Sequence, residues 1–137
     1  MMDRKPGWRT NLYAYFDLVK KQPFDKDTNN CAHFIANGWL NMRDDDPFEP
    51  YRQFVTFESQ VKALKKAGFN TPADFFASFC VEHEHVSQAR VGDIAIFPGD
   101  NESGYASGWV IGDLVFVMRE TGLGIIPLSQ AIRAFAV

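Results

Sequence analysis

The feature that most constrains the fold is a change in the spacing of apolar residues in the C-terminal third of the chain. Up to residue 80, apolar residues recur every three or four positions, as in helices with one buried face. From Val91 onward they form short runs separated by glycine, aspartate and proline, which is typical of strands. Helices followed by strands predict the α+β class, with N-terminal helices packed on a C-terminal antiparallel sheet.

The helical part divides into four predicted helices with recognisable ends. Asn30 is a good N-cap for the second helix, and Thr71-Pro72 begins the fourth. Gly68 ends the third helix, whose inward face is expected to hold Phe57, Val61, Leu64 and Ala67. The predicted ranges are 8–21, 31–42, 57–67 and 72–80.

The strand part is predicted to form an antiparallel meander. Gly112-Asp113, between two of the candidate strands, is a signal for a type I′ hairpin turn. Loop 43–52, which contains two prolines, is expected to lack regular structure, and Glu82-His83-Glu84-His85 is interpreted as a polar connector. The candidate strands are 91–97, 107–111, 114–118, 123–126 and 133–137, with a short helix at 129–132.

Composition and length exclude several classes of protein. A chain of 137 residues, 46% of them hydrophobic, predicts one domain over residues 1–137. The net charge of −3 gives no general attraction to nucleic acid or to anionic membranes. No apolar run approaches a membrane span, and the first residues lack the apolar segment of a signal peptide, so we expect synthesis in the cytoplasm without export.

Two polar segments have some features of metal sites, and each is incomplete. Asp25, Asp27 and Asn29 match the first half of an EF-hand loop, but Asn30 replaces its glycine and Ala36 its bidentate glutamate. The histidines at positions 83 and 85 have a spacing that can bind zinc, but no further Cys/His pair completes a set of four ligands. We therefore expect neither a metal nor a cofactor.

Cys31 occupies the first position of the second predicted helix. The unpaired N–H groups at a helix N-terminus carry partial positive charge, which is expected to lower the pKa of a thiol there. The alternative is that Cys31 is a small buried hydrophobic residue at the start of an apolar stripe. Cys31 and Cys80 lie in separate predicted helices, so both are expected to be free thiols. The stripe comprises Phe34, Ile35, Gly38, Trp39 and Met42.

A cysteine that opens a helix, followed about sixty residues later by Val91-Gly92-Asp93, resembles the NlpC-type branch of papain-like cysteine peptidases. A closer resemblance, over nearly the whole chain, is to a family of small phage and prophage proteins. That family is distantly related to the NlpC-type branch and is often encoded among tail genes. The segments that carry this resemblance include Gly7-Trp8, Asn30-Cys31-Ala32, Asp46-Pro47, Val110-Ile111-Gly112, Pro127-Leu128 and residues 133–137.

The resemblance implies a papain-like single domain with its cleft between the cysteine helix and the sheet. It also implies incorporation in a phage virion, with other tail proteins or a cell-wall peptide as partners. Alignment with the peptidases makes Cys31 the candidate nucleophile but places Ala106 where the catalytic histidine stands. His33 is predicted to face away from Cys31 on the helix, whereas His83 and His85 precede the first strand and could supply a base from a loop.

Three functions remain open from the sequence, ranked in this order. The first is a structural or assembly component of a phage tail with a degenerate catalytic site, which accounts for Ala106. The second is an active cysteine hydrolase that cleaves a peptidoglycan peptide or another amide, with Cys31 as nucleophile and His83 or His85 as base. The third is a non-catalytic module that binds a peptide or an acyl group in the same cleft.

Overall fold

The computed structural model describes residues 4–25, 27, 30–99, 104–119 and 121–137. Within those residues the chain is α+β, with four α-helices and one antiparallel sheet, as the sequence predicted, and the sheet has six strands rather than the five expected. None of the described helices is long and apolar enough to cross a membrane. The helices are α1 (Trp8–Val19), α2 (Cys31–Met42), α3 (Phe57–Lys66) and α4 (Pro72–Ala77). The strands are β1 (Val81–Glu82), β2 (Ile94–Pro98), β3 (Tyr105–Val110), β4 (Leu114–Arg119), β5 (Gly122–Pro127) and β6 (Arg133–Ala136).

Helices α1 and α2 pack on one face of the sheet and form the main core. Both bury the stripes that the sequence predicted, and these meet Ile94 and Ile96 of β2. The indole N–H of Trp109, on β3, donates to the carbonyl oxygen of Phe34 at 3.1 Å. This contact fixes α2 against β3, so that the first residue of the helix, Cys31, lies beside the strand.

The opposite face of the sheet has a smaller core of its own. Val110 and Val115 belong to it, and two 3-10 helices, Val86–Gln88 and Leu128–Gln130, supply residues that pack there. Both valines belong to the sheet on which α2 packs, but their side chains lie on the face away from the helix. Side chains alternate along a strand, and Trp109 already occupies the face toward the helix.

The sheet order is β1-β6-β2-β3-β4-β5. Strands β2 to β5 form the predicted meander, while β6 returns to pair with the free side of β2, with Ile94 opposite Phe135. Strand β1 then pairs with β6. The sequence did not predict β1, because two residues beside a polar segment become a strand through pairing with a distant part of the chain.

Local predictions failed at three places. Helix α4 ends at Ala77, so Cys80 lies beyond the helix that was expected to contain it. Loop 43–52 contains a 3-10 helix at Glu49–Tyr51. In the β3–β4 turn, Gly112 has φ 120°, but no described residue other than glycine has positive φ. A type I′ turn needs positive φ at both central residues, so this turn follows the type II′ pattern.

In the segment that resembles half an EF-hand loop, the described carboxylates accept hydrogen bonds from backbone N–H groups. Asn29 lies outside the described residues. One carboxylate oxygen of Asp25 accepts the backbone N–H of Asp27 at 2.8 Å, and an Asp27 carboxylate oxygen accepts the N–H of Phe57 at 3.0 Å. Asp27 thus links this segment to the first residue of α3.

Candidate functional site around Cys31

A cavity of about 350 Å³ lies beside Cys31, between α2, α3, α4 and β3. We call it the Cys31 cavity. Its volume falls in the lower part of the range of pockets that bind small molecules. Aromatic and aliphatic side chains dominate its wall, among them Phe48, Tyr51, Val61, Leu64, Phe75 and Phe76.

The Cys31 thiol is half-buried at this cavity, at the N-terminus of α2. Burial raises the pKa of the thiol, and this effect exceeds the opposing influence of the nearby backbone groups of Ser107, Cys31 and Ala32. The prediction of a lowered pKa was therefore wrong. The helix N-terminus acts as expected, but an apolar cavity wall supplied by distant residues disfavours the charged form more strongly.

Ser107, rather than Ala106, is the β3 residue that faces Cys31. Ser107 lines the cavity and pairs with Ile96, which belongs to the core under α2. Ala106 pairs with Phe97, which belongs to the core on the opposite face. The alignment with the peptidases is therefore offset by one residue from the position that faces the cysteine. Counting back two residues from the inward-facing Trp109 would have identified Ser107 as inward. The small residues before Trp109 do not by themselves reveal which face of the strand is buried.

His33 lines the Cys31 cavity but is held by backbone groups. Its Nε2 lies 2.9 Å from the carbonyl oxygen of Asp27 and 3.0 Å from that of Val55. Carbonyl oxygens only accept hydrogen bonds, so these two contacts need a proton on Nε2, whereas the Gln60 amide nitrogen, 3.2 Å from the same Nε2, is itself a donor. His33 thereby fastens the start of α2 to the segment before α3.

The other two histidines do not line the cavity. His83 places its Nε2 2.9 Å from a carboxylate oxygen of the buried Asp93. His85 places its Nδ1 2.7 Å from the Ser87 hydroxyl and caps the 3-10 helix at Val86–Gln88. The structure thus does not bring either candidate base together with Cys31.

Asn30 has two tasks that an aspartate could not perform together. Its Oδ1 accepts the backbone N–H of His33 at 3.0 Å, which confirms the predicted N-cap. Its Nδ2 donates to the Gln60 side-chain oxygen at 3.0 Å and so links α2 to α3. A carboxylate has no N–H to donate, and it would place a charge at a buried position. Gln60 gave no signal in the sequence, because its partner lies thirty residues away.

Helix α3 borders the cavity with its apolar face. Five of its residues line the cavity at helical spacing, and none of the ten residues of the helix is buried. The predicted inward face is confirmed for Phe57, Val61 and Leu64, which line the cavity with partial exposure, and is wrong for Ala67, which is exposed. The five lining residues are Phe57, Gln60, Val61, Leu64 and Lys65.

The fold and the site define an α+β domain in which a cysteine at a helix N-terminus meets the middle strands of an antiparallel sheet beside an apolar cavity. Residues 3–137 match the model of a family described as a domain of unknown function, DUF6950, and the chain belongs to this family. No curated protein matches the chain.

Alkylation should show that both thiols are protonated at neutral pH. Burial raises the pKa of Cys80 to about 12, and the pKa of Cys31 is also raised. We expect iodoacetamide at pH 7 to modify both thiols more slowly in folded than in urea-unfolded protein, and Cys80 at least roughly tenfold more slowly, because each unit of pKa removes about nine-tenths of the thiolate. Peptide mass spectrometry measures both rates. A Cys31 rate that levels off below pH 8 would contradict the raised pKa.

Proposed function

We propose that the protein is a papain-like domain with a degenerate catalytic site, which acts by binding as a structural or assembly component of a phage or prophage tail. The position of Cys31, at the start of a helix packed on an antiparallel sheet, supports the papain-like fold. The lack of a signal-peptide pattern in the first residues supports synthesis in the cytoplasm. The sequence resemblance supports incorporation in the virion, with other tail proteins or cell-wall peptide as partners.

The observation that carries the proposal is the set of contacts around Cys31. The chain has three histidines, and the structure describes each with one ring nitrogen placed against another group. The β3 position that faces the sulfur is Ser107, and the thiol is protonated at neutral pH. Without a general base, a nucleophilic hydrolase loses about 10²–10⁴ in rate. Binding in the Cys31 cavity needs no base.

A cysteine hydrolase remains the competing function, because Cys31 lies at a cavity and at the N-terminus of α2. It would require His83 or His85 as base. His83 is paired with Asp93 and His85 with Ser87, so these contacts favour the binding function.

Installing a histidine on either face of β3 tests the proposal. We expect wild type and Cys31→Ala to release no cysteine-dependent product from purified peptidoglycan or short peptides. Ser107→His should lower the pKa of Cys31 and speed its alkylation at pH 7, because an imidazole then faces the sulfur across the cavity. Ala106→His is the matched control, since the neighbouring side chain faces the other side of the sheet.

Two outcomes would contradict the proposal. Product release by wild type that is lost in Cys31→Ala and in His83→Ala/His85→Ala would establish an enzyme with a relocated base. Faster alkylation in Ala106→His than in Ser107→His would show that the assignment of the β3 faces is wrong.

Mass spectrometry of purified phage particles and tail intermediates tests the tail association, which fails if the protein is in neither.

A further inference from the structure

We infer that the Cys31 cavity binds a free aliphatic carboxylate of about ten to fourteen carbons, with its chain in the cavity and its carboxylate at Lys65. This inference rests on the proposed binding function and names the ligand class for it. Four observations support it, concerning the surface of α3, the size of the cavity, its charge and its polar groups.

The apolar face of α3 is not filled by the rest of the described chain. Phe57, Val61 and Leu64 line the cavity at i, i+4 and i+7, yet each keeps partial exposure. Leaving apolar surface in contact with water costs about 25 cal/mol per Å². An apolar occupant would remove this cost, whereas a polar one would not.

The size of the cavity sets the length of the chain. An apolar protein cavity of about 150 Å³ holds one benzene molecule, with six carbon atoms. By proportion, a cavity of about 350 Å³ holds roughly fourteen carbons if it is filled completely. A flexible chain fills an irregular space less completely, so we place the range at about ten to fourteen carbons.

The charge of the cavity wall selects an anion. Two cationic residues line the cavity, Arg52 and Lys65, and no aspartate or glutamate lines it within the described chain. Arg52 is bound to both carboxylate oxygens of Asp46, at 2.7 and 2.9 Å, and to the carbonyl oxygen of Ala36. Lys65 makes no ion pair with any described residue, while its neighbour Lys62 pairs with Glu58 at 2.9 Å. Lys65 is therefore the cation available to a ligand.

The polar groups of the cavity favour an acyl chain over a peptide. Three of the polar residues that line the cavity, Gln60, His33 and Arg52, already bond to Asn30, to backbone carbonyls and to Asp46. A peptide backbone would bring N–H and C=O groups that need new partners in an apolar space, and each one left unpaired carries a desolvation cost. An alkyl chain brings none.

Calorimetric titration of the full chain with dodecanoate, below its micelle concentration, tests the inference. We expect saturable binding of one dodecanoate per chain. Lys65→Gln should weaken binding by up to about fivefold, the upper end of the range for an exposed ion pair. Lys62→Gln is the matched control on the same helix and should bind as wild type does. Dodecanol, which lacks the charge, should bind wild type and Lys65→Gln equally.

Alkylation gives a second measurement that does not depend on the heat of binding. Saturating dodecanoate should slow the modification of Cys31, because the chain fills the space beside the sulfur, and leave Cys80, which does not line the cavity, unchanged. Leu64→Gln should remove this protection. Since α3 buries no residue, the variant should still fold, which its circular dichroism spectrum checks.

Three results would overturn the inference: no saturable binding of dodecanoate, equal weakening by Lys65→Gln and Lys62→Gln, or tighter binding of a short apolar peptide than of dodecanoate. Binding to phospholipid vesicles without binding to free dodecanoate would also overturn it, and would assign the cavity to a membrane lipid. If dodecanoate does not bind and peptidoglycan is not cleaved, the aliphatic carboxylate is rejected as the ligand, while the proposed binding function stands. Cysteine-dependent cleavage would instead remove the proposed function itself.

Discussion

Asp93→Ala is expected to lower the free energy of unfolding by about 3–5 kcal/mol, the usual cost of removing one partner from a buried ion pair. The Asp93 side chain is 5% exposed and accepts the Arg4 guanidinium at 2.9 Å. It also contacts His83 Nε2 at 2.9 Å and accepts the backbone N–H groups of Arg90, at 2.9 Å, and Val137, at 3.2 Å. One carboxylate thus ties together the segment before α1, the connector before β2 and the residue after β6.

Most of the expected loss of stability in Asp93→Ala comes from Arg4, which loses the negative charge beside its guanidinium. Burial lowers the pKa of the Arg4 guanidinium, and the charge of Asp93 opposes that effect. Arg4 also donates to the backbone oxygens of Val91 and Val137, at 2.9 and 3.0 Å, and its guanidinium lies 4.2 Å from the centre of the Trp8 ring. Without Asp93 this cation stays half-buried without its counter-charge, or it detaches and loses these contacts.

The matched control is Glu82→Gln, which breaks an exposed ion pair. Glu82 and Arg133 approach to 2.7 Å, but each side chain is about a third exposed, 36% and 35%. The expected loss is below about 1 kcal/mol. Urea unfolding of both variants, with the m-value checked for constancy, gives the comparison. An Asp93→Ala loss no larger than that of Glu82→Gln would show that the Asp93 contacts do not stabilise the fold.

Gly38→Ala is expected to lower the free energy of unfolding by about 1–3 kcal/mol, as overpacking of a core does. Helix propensity alone predicts the opposite sign, a gain of about 1 kcal/mol for alanine over glycine inside a helix. At this position in α2, however, a Cβ would lie 2.6 Å from Cε2 of the Trp109 indole. The indole cannot withdraw freely, because its N–H donates to the carbonyl oxygen of Phe34.

Asn41→Ala is the control for Gly38→Ala, since it introduces the same residue into the same helix near the surface. Asn41 donates from its side chain to the carbonyl oxygen of Asn37 at 2.8 Å, and its loss should change stability by less than about 0.5 kcal/mol. Thermal or urea unfolding of both variants distinguishes the effect of helix propensity on stability from the effect of overpacking in the core. A stabilised Gly38→Ala variant would mean that Trp109 moves without cost and that α2 and β3 are not tightly fitted.

The sequence predicted those features of this protein that depend on neighbours within a helical turn. The predicted N-caps Asn30 and Thr71 begin α2 and α4, and Gly68, with positive φ, follows the end of α3, all through contacts within three or four residues. The same local pattern placed Cys31 at the start of a helix, and with it the centre of the candidate site.

The tertiary structure decided which residues surround Cys31 and how they affect its chemistry. The face of Ser107 depends on strand register, the link from Asn30 to Gln60 crosses thirty residues, and the raised pKa of Cys31 comes from burial among distant side chains. Strand β1 likewise exists through its pairing with β6. Register, burial and desolvation depend on residues far apart in the chain, whereas caps and periodicity depend on adjacent ones, and so the sequence located the cysteine but not its environment.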